Sequence, residues 1–211
     1  MLQFVRFQKS YGSTTVLKID ELLVGPGIFW IKGTNGSGKS TLLKSVAGIL
    51  DFDGDILLDQ QVSLKNQPTA FRRLVNFAEA EPVFPEFLTG REMIRLFAAA
   101  KGAPKGQEDY FVESMRMNNY INEPSGTYSS GMLKKLSIVL AFLGNPRIIL
   151  LDEPLITLDA DSLRVLYQWI EEKHHQEQVS FFLSSHQPLE MKELSAANEL
   201  LVGHQTMQYT R

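Results

Sequence analysis

The chain has 211 residues, of which 44% are hydrophobic and 21% charged, with no cysteine and a formal net charge of -3. This is enough apolar content for one domain with a subdomain, while a disulfide framework is excluded and the acidic balance gives no general attraction for nucleic acid. No N-terminal leader pattern is present and no apolar run approaches the ~20 residues that span a bilayer, so the sequence reads as a soluble cytoplasmic chain.

Leu2 to Phe7 alternate with period two, and Val16 to Ile19 read as an antiparallel partner. Tyr11-Gly12 lies between them. The ring of Tyr11 could stack on a nucleobase or simply cover the sheet, and spacing alone does not choose. The apolar run Ile28 to Ile31 then leads into Gly33-Thr34-Asn35-Gly36-Ser37-Gly38-Lys39-Ser40-Thr41, followed by an apolar-periodic helix ending near Gly48. Strand, glycine-rich loop and helix in this order fit the phosphate-binding pattern G-x-x-x-x-G-K-[ST]. Its inward-pointing amides and helix N-terminus wrap phosphate oxygens, its lysine reaches the terminal phosphates, and its hydroxyl (Ser40) ligates Mg²⁺.

Asp51 to Asp55 has turn chemistry, Ile56 to Asp59 reads as a strand, and Arg72-Arg73 precede another at Leu74 to Phe77. Between Ala78 and Leu88, two prolines and three glutamates surround Phe84, Phe87 and Leu88. Either the segment exposes a docking surface or these side chains fold back beneath it. Thr89-Gly90-Arg91-Glu92 is a capping box that starts a helix towards Ala100. A second helix over Glu108 to about Met115 completes a small helical insert.

Tyr128-Ser129-Ser130-Gly131-Met132 opens an amphipathic helix with Leu133, Leu136, Val139, Leu140 and Leu143 on one face. Read alone, this is an ordinary helix start, although Ser129 and Gly131 sit where a hydroxyl and free amides could grip phosphate. Ile148 to Leu151 is a strand buried on both faces, and it delivers Asp152 and Glu153 to the edge where open α/β sheets bind ligands. Asp152 suits a water-bridged Mg²⁺ ligand, and Glu153 suits the base that orients or deprotonates an attacking water. Leu158-Asp159 caps a helix to about His174. Val179 to Leu183 is a further buried strand aiming His186 at the same edge, and Leu200 to Val202 reads as an edge strand. His174, His175 and His204 read as surface residues.

The order of these motifs resembles the nucleotide-binding subunits of ATP-binding-cassette (ABC) transporters over nearly the whole chain. The resemblance implies an α/β fold: a P-loop NTPase core with a parallel sheet, an N-terminal antiparallel β subdomain and a small α-helical insert. It divides residues 1–211 into a RecA-like core with β subdomain (about 1–78 and 146–211) and a helical subdomain (about 79–145). Tyr11 becomes the adenine-stacking A-loop, Gly33 to Thr41 Walker A, Ile148 to Asp152 Walker B, Asp159 the D-loop aspartate and His186 the switch histidine, and Gly54-Asp55-Ile56 fits a usual turn of the family.

Two such domains, arranged head to tail, would clamp ATP and Mg²⁺, with Ser129 and Gly131 of one capping the phosphate held by the other. An integral membrane permease on a separate chain would dock at the insert and at Phe84 to Leu88. The short length is similar to exporter-type subunits, including small heme, drug or antibiotic export ATPases. Two departures stand out. The signature Leu-Ser-Gly-Gly-Gln reads Tyr-Ser-Ser-Gly-Met here, and the Q-loop glutamine aligns with Ala80, so slow or differently coupled hydrolysis is expected unless Glu79 or Glu81 substitutes through water. A soluble ABC ATPase would carry two cassettes or long insertions. A kinase would need an acceptor site and lid, and a GTPase would need Asn-Lys-x-Asp, which is absent.

Overall fold

The computed structural model describes residues 1–185 and 197–210. Strands β1 (Leu2–Tyr11) and β2 (Thr14–Val24) form the hairpin that the alternation predicts. The buried strand β3 (Ile28–Lys32) runs into the glycine-rich loop and helix α1 (Lys39–Val46). The segment read as a turn at Asp51 to Asp55 is instead the start of β4 (Asp53–Leu58), which pairs with β1 across a register shift between Val5 and Gln8. Gly54 (φ 84°) makes this possible, because a Cβ there would collide with the Arg6 carbonyl.

After β5 (Val62–Ser63) and α2 (Pro68–Leu74) come β6 (Val75–Ala78) and the helices α3 (Gly90–Lys101) and α4 (Gln107–Ser114). The capping box is present as read, with Thr89 accepting from the Glu92 amide and Glu92 accepting from the Thr89 amide. Helix α5 (Ser130–Phe142) leads to β7 (Ile148–Asp152), α6 (Ala160–Glu177) and β8 (Ser180–Ser184), and the described chain closes with β9 (Ala197–Gly203) and β10 (Thr206–Tyr209).

Two sheets result. One is antiparallel in the order β2-β1-β4-β5, and the other runs β10-β9-β3-β8-β7-β6, parallel except for β10 against β9. This corrects the reading of Leu200 to Val202: β9 is internal, and the edge is β10, which the sequence reading did not assign. Each central strand divides its side chains by the period-two rule. Ile28, Trp30, Ile149, Leu151, Phe181 and Leu183 pack towards helices α3 to α6, while Phe29, Ile31, Ile148, Leu150 and Phe182 pack towards α1 and the antiparallel sheet. Helix α5 is buried almost all round from Leu136 onward, not along one stripe, because it lies between the parallel sheet and α3 and α4. Even Lys134 on its second turn is only 1% exposed. No helix among the described residues is long and apolar enough to cross a membrane.

Candidate active site

The phosphate loop leaves β3 and turns into α1 through Gly38, whose φ of 105° places it in the left-handed region at the helix N-cap. An added Cβ there would press on Val16 and Leu17 of β2 at 3.1 Å, so the loop is also backed closely by the antiparallel sheet. Beyond it opens a cleft of about 340 Å³ lined by Val16, Asn35, Gly36, Gly38, Lys39, Ser40, Thr41 and Glu153.

Lys39 is 5% exposed. Its ammonium donates to the Gly33 and Thr34 carbonyls at 2.9 and 3.1 Å, folded onto its own loop. Burial lowers its pKa, against the opposing pull of the Glu153 and Asp152 carboxylates.

The floor of the site is set by strand register. Asp152 stands opposite Ser184 in the β7–β8 pairing, and one of its carboxylate oxygens accepts from the Ser184 hydroxyl at 2.6 Å and from the Ser40 hydroxyl at 3.1 Å. The Glu153 amide donates to the Ser184 hydroxyl and carbonyl at 3.1 and 3.2 Å. Glu153 itself takes a left-handed backbone (φ 46°) and is nearly buried, so a tight turn aims its carboxylate into the cleft. The structure therefore brings together the loop, Lys39, Ser40, Thr41, Asp152 and Glu153.

The donor set fits a small hard cation. Ser40 and Asp152 offer oxygen ligands beside a phosphate-sized cradle, and Mg²⁺ takes few protein ligands, completing its shell with phosphate and water. Among the described residues no group of three or more His, Cys, Asp or Glu side chains could hold a metal by itself. The buried Ser37 hydroxyl has no hydrogen-bond partner within the protein and leaves an unused polar atom in the loop.

Other predicted residues do not line this cleft. Tyr11 is 52% exposed near the hairpin tip, with the Lys9 ammonium 4.7 Å from its ring centre. Ser129 caps α5 by accepting from the Met132 amide at 3.3 Å, and it is exposed, leaving that helix N-terminus open to an approaching molecule. Gly131 lies beside the Thr157 carbonyl, which an added Cβ would meet at 3.0 Å. Asp159 caps α6 through Ser162 and pairs with Lys135 at 2.8 Å. Its hydrogen bonds from Lys135 and from the Ser162 amide hold the carboxyl far below the usual carboxylate range. His186 lies outside the described residues. Of the candidate stand-ins for the missing glutamine, Glu79 pairs with Lys44 at 3.4 Å and Glu81 is exposed, and neither lines the cleft.

Sequence reasoning carried Ser184 to the sheet edge but missed its bond to Asp152, which appears only once the strand register is known. It also missed Lys134, whose three-carbonyl contact lies directly behind the site. Lys134 lies away from the apolar stripe of its helix, so the sequence carried no signal for it.

A family model described as ABC transporter matches residues 25–156. The human phospholipid-transporting ATPase ABCA7 is 32% identical over 167 residues, covering 75% of this chain and 8% of that protein. The human retinal-specific phospholipid-transporting ATPase ABCA4 is 31% identical over 178 residues, covering 81% of this chain and again 8% of that protein. The chain thus spans under a tenth of the length of these curated relatives. Among solved structures, an ATP-binding subunit of an ABC transporter superposes with a TM-score of 0.87 at 25% identity over 99% of this chain and 89% of the other. A dimeric ATP-binding cassette in a post-hydrolysis state with ADP and Pi matches with a TM-score of 0.84 at 20% identity over 100% and 99%, a likeness of fold.

Proposed function

Because the chain belongs to the ABC transporter family, we propose that it is the ATP-hydrolysing cassette of a transporter, energising a membrane permease on a separate chain, in the export direction. One observation carries this reading. Lys39, Ser40, Asp152 and Glu153 converge on one loop of backbone amides at one sheet edge.

In this reading the loop amides and Lys39 bind the phosphates, Tyr11 stacks on the adenine, and Glu153 accepts the proton of the attacking water. Ser40 and Asp152 would hold Mg²⁺, which when bound supplies positive charge against the phosphate oxygens. Ser129, Gly131 and Asp159 act on the site of a second cassette placed head to tail. The exposed Ser129 supports that arrangement, as does a dimeric relative of the same fold. His186 completes the proposed set. The relatives' names favour a lipid-like cargo, and the chain would sit at the inner face of the membrane through its permease.

The permease surface in this proposal is an apolar groove of about 260 Å³ whose lining includes Ile49, Phe77, Val83, Phe84, Phe97 and Leu140. Val83 is 88% exposed, and Phe87 nearby is 80% exposed. The two alternatives for this segment divide by residue, since Phe84 and Leu88 fold partly onto the core while Val83 and Phe87 point outward. The combined Ile49→Glu and Val83→Glu substitution is expected to shift the chain from the membrane to the soluble fraction of cells that carry the permease, with ATP binding unchanged. Unchanged membrane association would remove this docking face.

One observation favours slow turnover: Ala80 has no polar side chain and Glu79 is committed to Lys44. Ala80→Gln is expected to raise ATP turnover several-fold, as roughly one added hydrogen bond to the reacting groups allows. An identical steady-state rate would discard this account.

A further inference from the structure

The buried lysine of α5 has no part in the chemistry described above. Lys134 reaches across from the second turn of the helix that Ser129 caps, and its ammonium donates to three carbonyls: Glu79 at 2.8 Å, Ala80 at 3.2 Å and Asp152 at 2.8 Å. All three protons of the ammonium are thereby used. Two acceptors belong to the segment that leaves β6 for the exposed Val83–Phe87 loop, and the third is the carbonyl of the peptide bond joining Asp152 to Glu153.

That peptide bond is held at both ends. Its carbonyl accepts from Lys134, and its amide donates to Ser184. The bond fixes the turn in which Glu153 adopts its left-handed backbone. Any displacement of residues 79–80 must either stretch the bonds to Lys134 or carry the ammonium along, and with it the Asp152 carbonyl. Ala80 has no polar side chain to reach the site, but its carbonyl is tied to the Asp152 carbonyl through Lys134.

We propose that Lys134 is a positioning residue that ties the segment after β6 to the Asp152–Glu153 peptide, so that movement of residues 79–88 is transmitted to the aim of Glu153. The proposal rests on the hydrolytic reading only for its effect on turnover, since the mechanical link can be measured separately.

The test compares the wild-type chain with Lys134→Met, which keeps the bulk of the side chain and removes its donors. Hydrogen–deuterium exchange is expected to quicken roughly fivefold or more in peptides covering 79–88 and 152–157, with residues 33–46 unchanged. The kcat for ATP hydrolysis is expected to fall about ten- to a hundredfold while KM and the measured ATP Kd stay within about twofold. Lys134→Arg, which retains donors, should recover wild-type exchange and most of the turnover.

Unchanged exchange in both segments, or an unchanged kcat, overturns the proposal, as does a loss shared equally by the phosphate-loop peptides. If Lys134→Met does not fold, Lys134→Gln takes its place with the same expectations. If the wild-type chain binds ATP but turns none over, the hydrolytic reading falls, and exchange alone decides the role of Lys134.

Discussion

Replacing Glu153 with Gln is expected to lower ATP turnover by about a hundredfold or more, the range over which a positioned general base acts. ATP affinity should stay within about threefold, because the proposed site grips the phosphates through the loop and Lys39 and not through this carboxylate. The exchange of one carboxylate oxygen for an amide barely changes volume in the tight turn where Glu153 sits. With hydrolysis blocked, ATP and Mg²⁺ should accumulate the closed pair of cassettes, seen by light scattering as an ATP-dependent shift from monomer to dimer.

Adding Ser129→Arg should abolish the shift. Ser129 is exposed at the N-terminus of α5, so a guanidinium there obstructs the approaching phosphates without disturbing the core. If the Glu153→Gln chain binds ATP and remains monomeric, the homodimer is wrong: closure then requires the permease or a different cassette.

Lys39→Met should weaken ATP binding by roughly ten- to a hundredfold, the loss expected for one charge-assisted hydrogen bond to phosphate. The fold should tolerate the change. In the described state the ammonium is buried at a desolvation cost and donates only to carbonyls of its own loop. Calorimetric titration measures the affinity, and a thermal melt separates it from stability. An affinity within about threefold of wild type would mean that the loop amides carry the phosphate without the lysine.

Much of this was readable before any coordinates, where the signal is local. The phosphate loop, the Thr89–Glu92 capping box and the doubly buried β7 each follow from a few adjacent residues whose chemistry permits one conformation. What escaped depends on pairing across long sequence distances. Ser184 becomes part of the site only because β8 pairs with β7 in the register that sets it against Asp152. The internal place of β9 depends on β10, whose Thr-Met-Gln-Tyr alternation is only four residues long, too short to stand out as a strand.

Lys134 escaped for the opposite reason: a lysine on a helix is ordinarily a solvated one, and only tertiary placement reveals three carbonyls converging on it. Tyr11, Ser129 and Asp159 were recognised by resemblance alone; in the proposed head-to-tail pair, Ser129 and Asp159 would face the site of the other cassette, which fits their distance from the phosphate cleft of their own chain.

The close backing of Gly38 by Val16 and Leu17 has a consequence for nucleotide choice. The hairpin that carries Tyr11 and the loop that carries Lys39 abut through this contact, and the hairpin is anchored again where the Lys18 amide donates to the Gln205 carbonyl at 2.6 Å. In the proposed reading, the surfaces for base and phosphates are thus braced against each other before the nucleotide arrives. On binding, the Lys39 ammonium would leave its own loop carbonyls for phosphate, and because hairpin and loop are in contact a change in either should alter the hold on both parts of the nucleotide; Tyr11 in this reading offers a ring face, which favours no one base.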